Sequence, residues 1–133
     1  AVAASLVSRG LVETAVYCGE VATVTVLGVD HRDVWGCETP NRYISETSSE
    51  FDLGTRYSSF VGFVAVSDSS AGATVTRVEL AVGGVEVFSG DLSVGDQVPL
   101  EFDVTGEVRL TMATERLEGD VPALVVLTGD VGP

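Results

Sequence analysis

Apolar and polar residues alternate with a period of two along most of this chain. In Val98-Pro-Leu-Glu-Phe-Asp-Val104, Val98, Leu100, Phe102 and Val104 fall on one side, Glu101 and Asp103 on the other. That is the pattern of a strand with one buried face. Val108, Leu110 and Met112 alternate in the same way with Glu107, Arg109 and Thr111. The two segments read as neighbouring strands, with Thr105-Gly106 at the turn or bulge between them. Val78, Leu80 and Val82 form another alternating run, followed by Val85 and Val87 across Gly83-Gly84. Two glycines accept positive φ at both central positions, which predicts a tight hairpin. Earlier strands are predicted near Val12 to Tyr17 and Ala22 to Leu27, where Ala22, Val24 and Val26 alternate with Thr23 and Thr25.

Two runs break the alternation by being apolar on both sides: Phe60 to Val66 and Ala123 to Leu127. They read as central strands covered on both faces. Turn chemistry recurs at Gly28, Asp68 to Gly72, Ser89 to Asp91, Gly95-Asp96 and Glu118 to Asp120. No segment offers a helical face. About eight or nine short strands at regular spacing predict an all-β antiparallel sandwich or jelly roll.

With 133 residues, 45% of them apolar, and a mean hydropathy of +0.34, the chain suits one domain with one core. All seven basic residues are arginine, and the net charge is −13. Such a surface repels nucleic acid and anionic membranes, whose recognition rests on cationic side chains. An acidic, lysine-free composition also suits a halophilic source, since the screening length falls to roughly 3 Å in molar salt; a GC-rich genome would remove lysine too. No run approaches the roughly 20 apolar residues of a membrane helix. The start, Ala-Val-Ala-Ala-Ser-Leu-Val-Ser-Arg9, lacks the basic leader and long apolar centre of a signal peptide.

The order of blocks from Glu50 to Thr114 carries a resemblance. Glu-Phe-Asp-Leu-Gly-Thr-Arg-Tyr-Ser-Ser-Phe60 is followed by Val-Gly-Phe-Val-Ala-Val-Ser-Asp-Ser-Ser70. Val78-Glu-Leu-Ala-Val-Gly-Gly-Val-Glu-Val-Phe-Ser-Gly90 and Phe102-Asp-Val-Thr-Gly-Glu-Val-Arg-Leu-Thr-Met112 come next. This series resembles the NPCBM family of carbohydrate-binding modules, which are galactose-binding-like β-sandwiches attached to bacterial glycoside hydrolases and other surface proteins. The resemblance runs from Val24 to Val131 and is strongest from Phe51 to Leu110. It implies a sandwich domain over 21–133, with residues 1–20 as an N-terminal arm or added strand. It also implies an extracellular or surface location, where Cys18 and Cys37 would form a disulfide contributing about 3 kcal/mol on the loop-entropy model. The alternative for the cysteines is two separate thiols.

The densest polar and aromatic cluster runs from Asp30 to Tyr43. Sugar binding needs a flat apolar ring for the C–H face, which Trp35 or Tyr43 would supply, and planar hydrogen-bonding groups for the hydroxyls. His31, Arg32, Asp33, Glu38 and Arg42 complete that candidate ligand set. The competing reading is a structured loop in which Trp35 closes the end of the core. Many NPCBM members carry Gly-x-Gly-x-His-Ala before their Asp-Leu-Gly block, whereas this chain has Asn41 to Glu50 there. Sugar contacts are therefore not inherited residue by residue.

Neither metal nor cofactor is expected. Asp30, His31 and Asp33 match no strong ligand spacing, and Asp68 with its serines reads as a turn. No nucleophile elbow, phosphate loop or zinc motif is present, and His31 is the sole histidine; the chain reads as noncatalytic. Two functions compete. One is a recognition module for a glycan. The other is a structural subunit of a virion, surface layer or filament, self-associating through Ala1 to Gly10 laid along a neighbour's sheet edge.

Overall fold

The computed structural model describes residues 4–7 and 10–132, and within them every regular element is a strand. In chain order these are β1 (Ala4–Ser5), β2 (Val12–Val16), β3 (Cys18–Val26), β4 (Val29–Thr39), β5 (Glu46–Asp52) and β6 (Ser59–Val66). There follow β7 (Val75–Val82), β8 (Val85–Leu92), β9 (Gln97–Asp103), β10 (Arg109–Glu118) and β11 (Ala123–Gly132). They stack as two antiparallel sheets. One runs β3-β4-β11-β6-β9, with β1 also paired to β11, and the other runs β2-β5-β10-β7-β8. The all-β sandwich expected from the alternation is what forms.

The core follows the period-two pattern. Leu110 lies opposite Phe51 on one side and Val82 on the other, and Met112 opposite Leu80, all pointing between the sheets. Phe60, Val64, Leu100 and Leu127 meet them from the facing sheet. Each fully buried side chain of this size contributes about 1.5–3 kcal/mol by leaving water. The ring of Phe60 stacks on Phe102 at 4.8 Å. Directly opposite each other on β6 and β11 stand Gly62 and Gly129. A Cβ on the first would overlap the Thr128 carbonyl, and one on the second would enter the Phe60 ring. Both glycines are therefore required by close approach.

The C-terminal part of β6 and the facing part of β11 are covered on both faces, the second cover being the β3–β4 hairpin, whereas Val61 near the start of β6 is exposed, contrary to the expectation for Phe60 to Val66. β4 pairs with β11 only as far as Trp35 opposite Leu127. At Asp33, between the paired positions Val34 and Arg32, the backbone takes φ 55° within the continuous strand. Beyond it the hairpin crosses the outer face of its own sheet, where Val24, Val26 and Val34 bury Ala65 and Val126 in a second apolar cluster. Its Leu27-Gly28 turn has φ 50° and 77°, unusual for leucine. Asp68 fixes that turn by accepting both backbone N–H groups at 2.9 Å, while its own N–H donates to the Thr25 carbonyl. The β11 edge that β4 leaves is taken by β1, through Ala4 opposite Val131 and Ser5 opposite Asp130.

Several expectations need correction. β9 and β10 are not neighbours: β9 pairs with β6 in one sheet and β10 with β5 and β7 in the other. The link through Thr105-Gly106 is a turn that carries the chain between sheets, with Val104 buried at its start. Val108 is consequently exposed rather than in the core. Val85 and Val87 are exposed as well, because the ladder shifts between Leu80 opposite Phe88 and Ala81 opposite Glu86. That irregularity leaves Phe88, not Val87, against the core. The Gly83-Gly84 hairpin forms as read, with φ 59° and 82°. In the segment read as an arm or added strand, β1 pairs with β11 and β2 with β5, and Leu6, Val7 and Leu11 are buried in the main core. Ala1 to Ala3, Ser8 and Arg9 lie outside the described residues.

Candidate functional site

The candidate cluster from Asp30 to Tyr43 is not a loop. Its first ten residues form most of β4, and only the last few make a turn. A strand rises about 3.3 Å per residue, so Asp33 and Glu38 sit roughly 16 Å apart along it. The structure therefore splits the set. His31, Arg32 and Asp33 belong to the hairpin that crosses the outer face, with His31 edge-on to Phe63 at 4.9 Å between ring centres. Glu38, Arg42 and Tyr43 lie at the opposite end of β4.

Trp35 belongs to neither group. It is 3% exposed, edge-on to Phe51 at 5.3 Å, and its Nε1 donates to the Ser49 hydroxyl at 2.8 Å. Alternation explains the placement, because Trp35 and Cys37 share the inward face of β4. The expectation that Trp35 supplies a sugar platform is corrected: a ring sealed in the core cannot stack on a ligand.

Tyr43 is the reverse case, at 84% exposure. It stands on the β4–β5 turn, held by Asn41, whose Oδ1 accepts the Tyr43 N–H at 2.9 Å and whose carbonyl accepts Ile44 N–H at 3.2 Å. Arg116, half-buried near the end of β10, reaches under the turn. Its guanidinium donates to the carbonyls of Asn41 and Ile44 at 3.3 Å and of Arg42 at 3.4 Å, and its N–H to Ser45 at 2.7 Å. Five donors on one planar group suit a turn with several unpaired carbonyls. The Arg42 guanidinium lies 5.5 Å from the Tyr43 ring centre, in cation–π contact. The result is an exposed aromatic on a pinned backbone, flanked by a planar donor. Arg116 was invisible as a site residue in the sequence because it contacts the turn across more than 70 positions.

The base of this end is cross-linked. β3 and β4 place Cys18 directly opposite Cys37, with Cα atoms 4.1 Å apart, and the two form a disulfide. Next to it Glu38 N–H donates to the Tyr17 carbonyl at 3.0 Å, and the Tyr17 side chain is 53% exposed. Among the described residues no group of three or more His, Cys, Asp or Glu side chains is placed to hold a metal ion. Asp68, read as a simple turn residue, is the acceptor that fastens the hairpin.

No family model and no curated protein sequence matches the chain. Solved structures do. A CBM51 carbohydrate-binding module from Clostridium perfringens GH95, in complex with methyl-galactose, superposes with a TM-score of 0.73 at 14% identity, covering 96% of this chain and 99% of that one. The CBM51-2 and INT domains of Clostridium perfringens ZmpB, with CBM51-2 in complex with GlcNAc, give a TM-score of 0.66 at 9% identity, over 91% of this chain and 30% of that one. Tandem CBM51 modules of a family 98 glycoside hydrolase from Streptococcus pneumoniae give 0.61 at 12% identity, over 84% and 36%. At these identities the likeness establishes the galactose-binding-like sandwich fold.

Proposed function

We propose that this chain is a noncatalytic carbohydrate-recognition module of an exported protein, and that it contacts sugar through Tyr43, with Arg42 beside it and Glu38 at the same end of β4. The observation that carries this reading is the 84% exposure of Tyr43 on a turn pinned from below by Arg116. An aromatic ring that exposed is costly to hydrate and offers a flat face to the C–H side of a pyranose. Holding the turn rigid before binding removes an ordering cost that a mobile loop would carry. The sandwich likeness to modules that bind methyl-galactose and GlcNAc, and the NPCBM resemblance of the strand blocks, support the same role. The Cys18–Cys37 disulfide supports an oxidising compartment. His31, Arg32 and Asp33 are not part of the proposed site.

The test is a glycan array followed by calorimetry, starting with galactose- and GlcNAc-terminated oligosaccharides. Tyr43→Ala is expected to weaken every responsive glycan by about tenfold or more, the scale of one lost stacking contact. Arg42→Ala should weaken them less. A folded Tyr43→Ala protein that binds the same glycans with unchanged affinity would refute the site.

A further inference from the structure

Among the described residues, Tyr17 and Tyr43 are the only phenylalanine, tyrosine or tryptophan side chains more than half exposed. The fold sets both at the same end of the sandwich. β2 and β3 each lie at an edge of one sheet, and Tyr17 alone joins them. β4 and β5, the neighbours of those edge strands, are joined by the turn that carries Tyr43. With Val16 opposite Ser48 and Cys18 opposite Cys37, the two crossings between sheets run side by side. A hydrogen bond ties them together, from Glu38 N–H to the Tyr17 carbonyl at 3.0 Å. Tyr43 follows Glu38 by five residues, a stretch that spans at most roughly 18 Å.

Tyrosine is an unfavourable residue for the first of these crossings. Turning the chain from one sheet to the other at a single position puts Tyr17 at φ 57°, in the left-handed region that glycine enters freely and a bulky side chain does not. Burial does not offset that strain, because the ring belongs to neither apolar cluster and most of it faces water. The backbone on which it stands is nevertheless fixed, by the Glu38 hydrogen bond and by the disulfide at the next residue. Glycine would serve the fold better here, so the ring is explained by what it meets outside the protein. Strained positions of this kind gather at binding and catalytic sites.

We propose that Tyr17 is a second sugar platform of the Tyr43 site, so that the module reads an oligosaccharide of two or more units rather than a single terminal sugar. The inference rests on the Tyr43 reading and extends it. Each exposed ring offers one flat apolar face to the C–H side of a pyranose. The rings stand on separate connections, each pinned, one by Arg116 and the other by the disulfide and Glu38. Neither has to be ordered when ligand arrives. Once one sugar rests on Tyr43, contact of a later unit with Tyr17 is intramolecular. A contact too weak to hold a monosaccharide by itself then adds affinity for the longer chain.

The experiment uses the intact chain with methyl-galactoside, N-acetylglucosamine and tetrasaccharides ending in each. Calorimetry measures affinity, and NMR follows the tyrosine ring signals. A tetrasaccharide should bind more tightly than its terminal sugar and should shift Tyr17 as well as Tyr43, whereas the monosaccharide should shift Tyr43 alone. Tyr17→Gly accommodates the positive φ and removes only the ring. Its melting temperature should match or exceed that of the wild type, while it binds the tetrasaccharide about tenfold more weakly and the monosaccharide within about twofold of wild type. Tyr17→Phe, which keeps the ring, should retain the tetrasaccharide affinity. A tetrasaccharide bound no more tightly than its terminal sugar, or not bound at all, would overturn the proposal. So would Tyr17 signals that stay in place in the wild-type complex, or a glycine variant that melts well below wild type, since the ring would then serve the fold. Tyr43→Ala separates the two readings. Loss of binding there with unchanged affinity in Tyr17→Gly overturns the extension alone; the reverse pattern overturns the Tyr43 site and upholds Tyr17 as a sugar contact.

Discussion

Replacing Ser49 by alanine tests both the packing of the core and the assignment of the site. Ser49 is 1% exposed, and its hydroxyl is the acceptor for the equally buried Trp35 Nε1 at 2.8 Å. Alanine fills almost the same space but leaves the indole N–H without a partner, away from water. An orphaned buried donor costs about 1–3 kcal/mol, which in a domain of this size lowers the melting temperature by roughly 4–12 °C. The neighbouring Cys37 sulfur, 3.5 Å from the same hydroxyl, is a weak partner and adds little. Trp35→Phe removes the donor itself. In a double-mutant cycle, Trp35→Phe should therefore cost less in the Ser49→Ala background than in the wild type, with a coupling of about 1 kcal/mol or more. Urea unfolding followed by circular dichroism measures all four corners. A Ser49→Ala change within about 0.5 kcal/mol of wild type, or a strictly additive cycle, would refute the buried bond. The same variants separate structure from recognition. Folded Trp35→Phe protein should bind glycan as wild type does, and loss of binding there would return Trp35 to the site.

Two further outcomes follow from the geometry. Replacing Cys18 and Cys37 by alanine should cost about 3 kcal/mol on the loop-entropy model, read by urea unfolding; alkylation without reductant should label neither cysteine in the native protein, and labelling of both would contradict the bridge. The Asp103 carboxyl is held below its ordinary value of 3.8 by the Thr105 hydroxyl and by the Thr105 N–H at 2.7 Å. Because the folded value is depressed, its contribution is fully present above the unfolded pKa and is lost as pH falls through the lower folded one. Thr105→Val should raise the Asp103 pKa in a carboxyl NMR titration, and an unmoved titration would deny the hydroxyl its role.

The legible part of this fold was the part encoded by neighbouring residues. Alternation at Val98 to Val104 and Val78 to Val82 marks strands because burial acts on each strand locally, and Gly83-Gly84 marks its hairpin because φ is a local variable. Which strands pair is a tertiary decision. Thr105-Gly106 supports a hairpin or a crossover between sheets equally well, and only the placement of Val104 in the core selects the crossover. The site divides along the same line. Trp35 and Tyr43 are both aromatic in one polar stretch, yet one points inward from β4 and the other stands on a turn whose pinning residue comes from β10. Residue type could nominate both rings; only strand phase and a distant arginine distinguish them.

Arginine as the sole basic residue fits the way these cations are used. Arg116 serves a set of carbonyls, Arg77 and Arg109 bind carboxylates, and Arg42 and Arg56 lie over Tyr43 and Tyr57 at 5.5 and 5.7 Å. Each task uses the planar, forked guanidinium, which a lysine ammonium does not reproduce. The twenty acidic residues outnumber the seven arginines and leave a net charge of −13, so the surface as a whole is strongly acidic. An anionic glycan would approach against that field, with Arg42 the cation standing beside the exposed ring. At the proposed Tyr43 site electrostatics thus favours a neutral sugar over an anionic one, and raising the salt should change the affinity for a neutral glycan little.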